Sequence, residues 1–339
     1  MTLNDAFSTL SCVQYVTKGG FNMEMNVETN SSPTAPKPSK QTGWRIWWSL
    51  LRPHTLTAAF VPVFIGTAYA MQVGGINQIH LPLFLIMLLA CLLIQAATNM
   101  FNEYFDYKRG LDHEGSVGIG GAIVRDGIQP KTVLNLAFGF FGIAILLGVY
   151  ICMNSSWWLA AIGLVCMAVA YLYTGGPLPI AYTPFGELTA GLFMGVIIIG
   201  ISFFIQTGTV TSEVVLLSIP SSILIGAILL ANNIRDLDGD KENGRKTLAI
   251  LVGRERAVGV LASMFIVSYI WTIALIIVGI VSPWMLIVFL SAPKAFKATK
   301  GFIGKSIPME MVPAMIATAK TNTIFGLLMG IGLLLGYFL

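Results

Sequence analysis

The stretch LPLFLIMLLACLLIQAATNMFNEYFDYKRGLD, residues 81–112, begins as a long apolar run and ends in a polar cluster. The last fourteen residues carry two amides, three carboxylates and two cations. A second stretch, ANNIRDLDGDKENGRKT (231–247), follows another apolar run in the same way. Charged groups near a bilayer core cost about 2.5–3.5 kcal/mol each on insertion scales, so they usually carry function. The two clusters are therefore candidate functional sites.

The composition of the chain is typical of a polytopic membrane protein. Of its 339 residues, 55% are hydrophobic and only 11% are charged, and the mean hydropathy is +0.78. Soluble domains are about 25% charged. The cysteines are scattered without CxxC spacing, which indicates neither a metal site nor a disulfide framework; they are Cys12, Cys91, Cys152 and Cys166.

The apolar runs predict an all-α fold with nine transmembrane helices around a central cavity, since a spanning helix needs about 20 apolar residues. The predicted spans are 53–73, 81–105, 132–152, 156–174, 186–206, 214–234, 256–279, 282–298 and 319–338. Residues 1–42 are rich in Ser, Thr, Asn and Pro and predict a disordered cytoplasmic leader. The predicted membrane domain is 43–339.

The distribution of Lys and Arg predicts the orientation. All 20 cations lie in the leader and first helix start, or after the second, sixth and eighth predicted helices. The intervening loops, near 74–80, 153–156, 207–213 and 280–282, contain none. The positive-inside rule then places the N-terminus and both acidic clusters in the cytoplasm, and the C-terminus outside the cell membrane.

The two clusters share a spacing. Asn99, Asn102 and Asp106 recur as Asn233, Asp236 and Asp240, with the same offsets along one helix face. Asp112 and Asp238 add further carboxylates. A weak internal duplication would explain the match and would set the clusters face to face around one cavity.

Converging carboxylates with neighbouring cations indicate a Mg²⁺–diphosphate site. Oxygen ligands suit Mg²⁺, which completes its shell with water and phosphate oxygens. Cations suit the phosphate oxygens themselves; those beside the clusters are Lys108, Arg109, Arg125, Arg235, Lys241, Arg245 and Lys246.

Other interpretations of the clusters are weaker. Solvated loop charges would not explain the repeated spacing. An EF-hand fails because Lys241 occupies the glycine position, and a Walker A loop fails because Lys246 is displaced by one residue. The glycine-rich run 115–123 lacks GxGxxG spacing and predicts a flexible cytoplasmic loop, as a lid over the site.

The motifs NxxNExxDxxxxxD and RDLDGDKENGRKTLAILVG resemble the two aspartate-rich motifs of the UbiA superfamily of intramembrane prenyltransferases. The resemblance covers about residues 44–339. RPHTLTAAFVPVFIG (52–66), GSVGIGGAIVRDG (115–127) and YTGGPLPIAYTPFGEL (173–188) are similar to the branch that acts on 1,4-dihydroxy-2-naphthoate.

The resemblance implies a polyprenyl diphosphate donor and a naphthoate acceptor, with release of diphosphate and CO2, in menaquinone biosynthesis. Two Mg²⁺ ions are expected, one on Asn102, Asp106 and Asp112, the other on Asp236 and Asp240. The four aspartates are the expected catalytic residues. The expected substrate-binding residues are Asn99, Asn102, Lys108, Arg109, Arg125, Asn233, Arg235, Lys241, Lys246, Tyr171 and Tyr173; Tyr182 is a further aromatic candidate.

Three alternatives stay open at this point. In the first, the reaction is the same but the acceptor is 4-hydroxybenzoate or homogentisate. In the second, the protein is a divalent-cation transporter, although that class predicts acids near the membrane midplane. A membrane phosphoalcohol transferase also uses clustered aspartates, but its DGxxAR-type element is not found.

Overall fold

A computed structural model describes residues 41–112 and 121–339. The regular secondary structure of these residues is helical, and no β-strand occurs in those ranges. Residues 1–40 of the disordered leader predicted for 1–42, and most of the glycine-rich lid predicted for 115–123, lie outside the described residues.

Twelve α-helices are described. They are α1 Trp44–Leu51, α2 Pro53–Gly74, α3 Leu81–Lys108, α4 Pro130–Asn154, α5 Trp158–Leu172, α6 Gly186–Thr207, α7 Ser212–Arg235, α8 Leu237–Glu242, α9 Leu248–Val252, α10 Arg254–Ile277, α11 Ala292–Phe302 and α12 Pro308–Phe338. The middle of α6, Gly191–Ile197, is π-helical. A 3₁₀ helix, Pro283–Ser291, leads directly into α11.

Seven of these helices within the described ranges are long and apolar enough to cross a membrane: α2, α3, α4, α6, α7, α10 and α12. The fourth predicted span is present as the shorter α5, and the eighth as the 3₁₀ helix with α11. The all-helical, multi-span class is thus present, whereas the count of nine crossings stays a prediction.

The last predicted helix starts earlier than the sequence pattern suggested. The sequence pattern predicts a helix over 319–338, in which Lys320 is the second residue and is counted with the cations after the eighth predicted helix. The helix α12 instead begins at Pro308, so Lys320 lies well inside it. A proline at the first helical position costs no hydrogen bond, because that N–H has no intrahelical partner. Pro308, Glu310 and Pro313 interrupt the apolar run before 319, so the sequence pattern did not include the first turns of the helix.

The largest apolar core joins α2, α7, α10 and α12, and a second core joins α3 to α4. Close helix contacts require small residues. A Cβ on Gly195 of α6 would lie 2.5 Å from the Cα of Ser222 on α7, and one on Gly191 would lie 2.7 Å from the Ser222 carbonyl oxygen. The resulting packing brings the ends of α3 and α7 to one cavity.

Candidate active site

One cavity of about 1370 Å³ runs between the helices, and both polar clusters line it. The predicted site residues on its wall are Asn99, Asn102, Asp106, Asp112, Tyr173, Asn233, Arg235, Asp236 and Asp240. Acidic side chains outnumber basic ones there; the charged lining residues are Arg52, Asp106, Asp112, Arg235, Asp236, Asp238, Asp240, Glu242, Arg245 and Lys320. The rest of the wall is mainly apolar, which suits a ligand with an anionic head and an apolar body.

Arg245 joins the two clusters directly. Its Nη2 donates to Asp106 Oδ1 at 3.0 Å, and its Nη1 lies 3.0 Å from Asp240 Oδ1. Asp106 is near the end of α3 and Asp240 is in α8, so one guanidinium neutralises a carboxylate from each cluster. The clusters therefore face each other across a gap the width of one cation.

The amides of the first cluster are held by neighbouring elements. Asn99 Nδ2 donates to the Leu51 carbonyl oxygen and to Thr55 Oγ1, both at 2.9 Å, which ties α3 to the junction of α1 and α2. Asn102 Oδ1 accepts a hydrogen bond from Thr174 Oγ1 at 2.8 Å. Both side chains are thereby fixed in orientation before a ligand binds.

Glu103, which the sequence places within the first cluster, supports the backbone around the site. It is buried and its Oε2 lies 3.1 Å from Arg52 Nη2, while its Oε1 accepts from the backbone N–H groups of Gly121 and Ile123 at 2.7 and 3.3 Å. Arg52 has a φ of 51°, the one positive value among described non-glycine residues. Since αL backbone is unfavourable for such residues, Glu103 helps to hold Arg52 at the cavity wall.

The second cluster has an analogous support. Asn233 Nδ2 donates to Glu187 Oε1 at 2.8 Å. Glu187 is only 6% exposed, and its Oε2 has no hydrogen-bond partner among the described residues. Arg235 forms a two-pronged ion pair with its neighbour Asp236, at 2.7 and 2.6 Å, and also donates to Met315 Sδ. Glu187 thus orients Asn233, and Arg235 orients Asp236.

Two arginines enclose Tyr182 at the edge of the site. The guanidinium carbons of Arg109 and Arg245 lie 5.4 and 5.0 Å from its ring centroid, within cation–π distance. Arg109 also donates to the carbonyl oxygens of Thr174 and Gly176. Arg109 is therefore committed to the loop that follows α5.

Several predicted substrate-binding residues lie off the cavity wall. Sequence spacing gave no means of distinguishing them from the predicted residues that line the cavity. Arg125 forms a two-pronged pair with Asp126, with distances of 3.0 and 2.8 Å. Tyr171 packs edge-on against Phe101 and Phe105 in an aromatic cluster. The three lysines Lys108, Lys241 and Lys246 have exposed side chains.

The carboxyls just outside the membrane-spanning helices have unusual acidities. Burial raises the pKa of Asp112 to about 6, and the neighbouring charges of Asp106 and Glu103 act in the same direction. Burial also raises the pKa of Asp240 to about 6; Arg245 opposes the shift, whereas Asp236 and Asp106 add to it. The negative charge of these two carboxylates is therefore unfavourable in its buried surroundings unless a nearby cation balances it.

The donor set fits Mg²⁺ under one condition. Asp106 and Asp240 come within 3.0 Å of the same cation, so their oxygens converge. In the described ranges, however, no three acidic, His or Cys side chains are grouped closely enough to hold a metal by themselves. A metal here would need water and ligand oxygens in its shell, which is the usual situation of protein-bound Mg²⁺.

Sequence reasoning missed four side chains at the candidate site: Arg245 as the bridge, Glu187 behind Asn233, and Thr174 and Lys320 on the cavity wall. Arg245 was noted only as one of seven nearby cations. Glu187 carried a usable signal, because it is an acidic residue at the start of an apolar run and such residues usually have a role. The pairing of these residues depends on tertiary contacts that spacing does not encode.

Membrane-length helices around an apolar cavity with an acidic and basic rim fit an intramembrane enzyme whose ligand has an anionic head and an apolar body. Comparison with known proteins identifies the class as prenyltransferase. The profile of the UbiA prenyltransferase family matches residues 59–302, and the chain belongs to this family. It is 59% identical over 311 residues to the 1,4-dihydroxy-2-naphthoate octaprenyltransferase of Bacillus subtilis (strain 168), covering 92% of this chain and 99% of that protein. It is 28% identical over 286 residues to the enzyme of the same name from Mycobacterium tuberculosis, covering 83% and 94%.

Solved structures share the fold. A UbiA homologue from Archaeoglobus fulgidus, bound to DMAPP and Mg²⁺, has a TM-score of 0.60 at 16% identity and covers 84% of this chain and 98% of its own. The apo structure of a homologue from Aeropyrum pernix K1 has a TM-score of 0.62 at 14% identity, with coverages of 82% and 97%. The predicted fold class and family are confirmed, and the chain is a multi-span membrane protein.

Proposed function

We propose that the protein transfers a polyprenyl group from polyprenyl diphosphate to 1,4-dihydroxy-2-naphthoate, with loss of diphosphate and CO2, to give demethylmenaquinol. The observation that carries this function is the 59% identity to the Bacillus subtilis enzyme over almost the whole of both chains. The reaction belongs to menaquinone biosynthesis.

The carboxylate rim is the proposed diphosphate end of the cavity. Asn102, Asp106 and Asp112 would hold one Mg²⁺, and Asp236 and Asp240 a second; the Archaeoglobus homologue bound to DMAPP and Mg²⁺ supports the use of this cation. Bound Mg²⁺ would offset the charge of the diphosphate and make it a better leaving group. With the aspartates engaged by Mg²⁺, the Arg245 guanidinium would be available to donate to phosphate oxygens.

The apolar part of the cavity holds the polyprenyl chain and the acceptor. Departure of diphosphate leaves an allylic cation, and a ring carbon of the naphthoate attacks its C1. Loss of the ring carboxylate as CO2 restores the quinol. The wall of the cavity positions both substrates and excludes water from the cation. Tyr173, on the wall near the rim, offers an aromatic face to the cation.

The site is proposed to face the cytoplasm from the cell membrane, with the N-terminus inside and the C-terminus outside. The basis is the distribution of Lys and Arg among the loops. An alkaline phosphatase fusion after Leu339 would be active, and one placed in the loop at Gly244 inactive. The reverse pattern would overturn this orientation.

Purified protein tests the reaction most directly. One polyprenyl diphosphate is supplied with Mg²⁺ and, in separate assays, 1,4-dihydroxy-2-naphthoate, 4-hydroxybenzoate or homogentisate. We expect product and CO2 with the naphthoate alone, and none with EDTA. Prenylation of another acceptor instead would overturn the acceptor assignment. Metal flux into liposomes without any prenyl donor would support a transporter.

A further inference from the structure

Lys320 is a cation inside a membrane-spanning helix. It lies twelve residues after Pro308, the first residue of α12, which is about 18 Å along the helix axis at 1.5 Å per residue. Its side chain lines the cavity. The other charged residues on the described wall lie at helix ends, in short helices or in loops.

The depth of Lys320 follows from the neighbours of α12. Arg254 donates to the Ser306 carbonyl oxygen and to Asp238 Oδ2, so α12 starts beside the second cluster. Met315 accepts from Arg235 at the end of α7. Lys320 is five residues further, about 7.5 Å deeper along the axis. Thr323, on the same face, donates to Thr57 of α2.

No structural role in the described residues accounts for this charge. Lys320 has no acidic partner within ion-pair distance in the described ranges, where the ion pairs involve only arginines. Its cavity neighbours on α12 are neutral: Met315, Ile316, Ala319, Thr323 and Ile324. Ionisable residues inside membrane-spanning helices are costly, usually face the bundle interior or a cavity, and mark substrate or ion paths.

The geometry points to Lys320 as the residue that binds the carboxylate of the aromatic acceptor. This inference rests on the proposed function and deepens it. If the diphosphate occupies the rim, C1 of the donor lies next to it on the inner side, and the acceptor ring must lie within bonding reach of C1. The depth of Lys320, one to two helical turns inside the rim, matches the level of that ring.

The acceptor's charge explains why a cation is needed there. Among the substrate groups placed below the rim, the naphthoate carboxylate is the one that is anionic. A lysine in an apolar wall offers it a charge-assisted hydrogen bond that a neutral wall cannot. The same contact rejects ring compounds that lack the carboxylate, because it would leave Lys320 unpaired.

The test compares Lys320→Met and Lys320→Arg with Lys297→Met, an exposed lysine of α11 away from the cavity. We expect Lys320→Met to raise KM for the naphthoate at least about tenfold, with KM for the donor within about twofold. Lys320→Arg restores much of the affinity, and Lys297→Met is unchanged. A rise in donor KM instead, or no change in either constant, would overturn the inference.

A second measurement separates this inference from the proposed reaction. Binding of 1-hydroxy-2-naphthoate and of 1-naphthol to detergent-solubilised protein is measured by calorimetry without donor. Wild type should prefer the carboxylate compound at least about tenfold, and Lys320→Met should show no preference. Equal preference in both proteins overturns the role of Lys320. A wild type that binds the carboxylate but prenylates no naphthoate overturns the reaction alone.

Discussion

Arg245 Nη2 lies 3.0 Å from Asp106 Oδ1, although the two residues are 139 positions apart in the chain. The same guanidinium lies 3.0 Å from Asp240 Oδ1. A protein cation thus occupies the space between the two carboxylates that are expected to bind Mg²⁺. Mg²⁺ and Arg245 would therefore compete for the same two carboxylates.

Replacing Arg245 should make the folded protein more dependent on Mg²⁺. In Arg245→Gln, Asp106 and Asp240 lose a shared counter-ion, so the metal-free protein becomes less stable, and bound Mg²⁺ restores the charge balance. We expect a larger Mg²⁺-induced rise in Tm for Arg245→Gln than for wild type. Arg256→Gln, which removes an exposed arginine of α10, is the control. An equal Mg²⁺-induced rise in Tm in all three proteins would contradict the idea that Mg²⁺ takes over the charge-balancing role of Arg245.

The carboxylates themselves should be indispensable for turnover. Asp106→Asn and Asp236→Asn keep side-chain volume but remove the charge proposed to hold Mg²⁺, so we expect kcat/KM to fall at least about 100-fold. The Tm and the detergent gel-filtration profile should show a folded protein. Glu255→Gln, an exposed carboxylate at the start of α10, is the matched control. Near-normal turnover in either aspartate variant would count against the site.

Low pH should weaken Mg²⁺ binding and stabilise the metal-free protein. The pKa values of Asp112 and Asp240 are raised to about 6 by burial, above the ordinary value of 3.8. The folded state therefore binds more protons than the unfolded state between about pH 4 and 6, so stability without metal rises as pH falls through that window. Mg²⁺ must displace those protons.

The measurement is the Kd for Mg²⁺ between pH 5 and 8, with Tm recorded in EDTA. We expect the Kd to increase below about pH 6.5 and to level off above pH 7. In Asp112→Asn the pH dependence should be shallower. A Kd that is independent of pH throughout would show that neither carboxyl titrates with the metal.

Glu187 should act on the substrate through Asn233. Its Oε1 accepts from Asn233 Nδ2 at 2.8 Å and leaves the amide oxygen of Asn233 for the cavity. Glu187→Ala frees the amide to rotate, and we expect a loss in donor affinity of about 10-fold, as for other positioning groups behind a ligand. Glu187→Gln retains an acceptor oxygen and should recover most of the affinity. Equal losses in both variants would indicate a role of the charge itself.

The helical fold and the polar residues on single helix faces could be predicted from the sequence, because both depend on local sequence pattern. Apolar runs give the spanning helices, and the offsets 3 and 4 place Asn99, Asn102 and Asp106 on one helix face. The two clusters were predicted to face each other around one cavity, and residues of both clusters line the same cavity. Arg245 and Glu187 were missed because their partners lie on other helices. The depth of Lys320 inside its helix was not predicted, because Pro308, Glu310 and Pro313 interrupt the apolar run over the first turns of α12.

The packing of α6 on α7 should be intolerant of larger residues at Gly195. A Cβ there would lie 2.5 Å from the Cα of Ser222, which is backbone and has no rotamer by which to move aside. Gly195→Ala should therefore destabilise the protein by about 1–3 kcal/mol through overpacking. Gly200, on the same helix with nothing within 4 Å of its added Cβ, provides the control, and Gly200→Ala should be neutral or slightly stabilising.

Thermal unfolding in one detergent compares the two variants. Because α7 ends at Arg235 beside Asp236, a Gly195→Ala protein that does fold should also bind Mg²⁺ more weakly. Equal Tm values for both alanine variants would show that the helices separate at little cost.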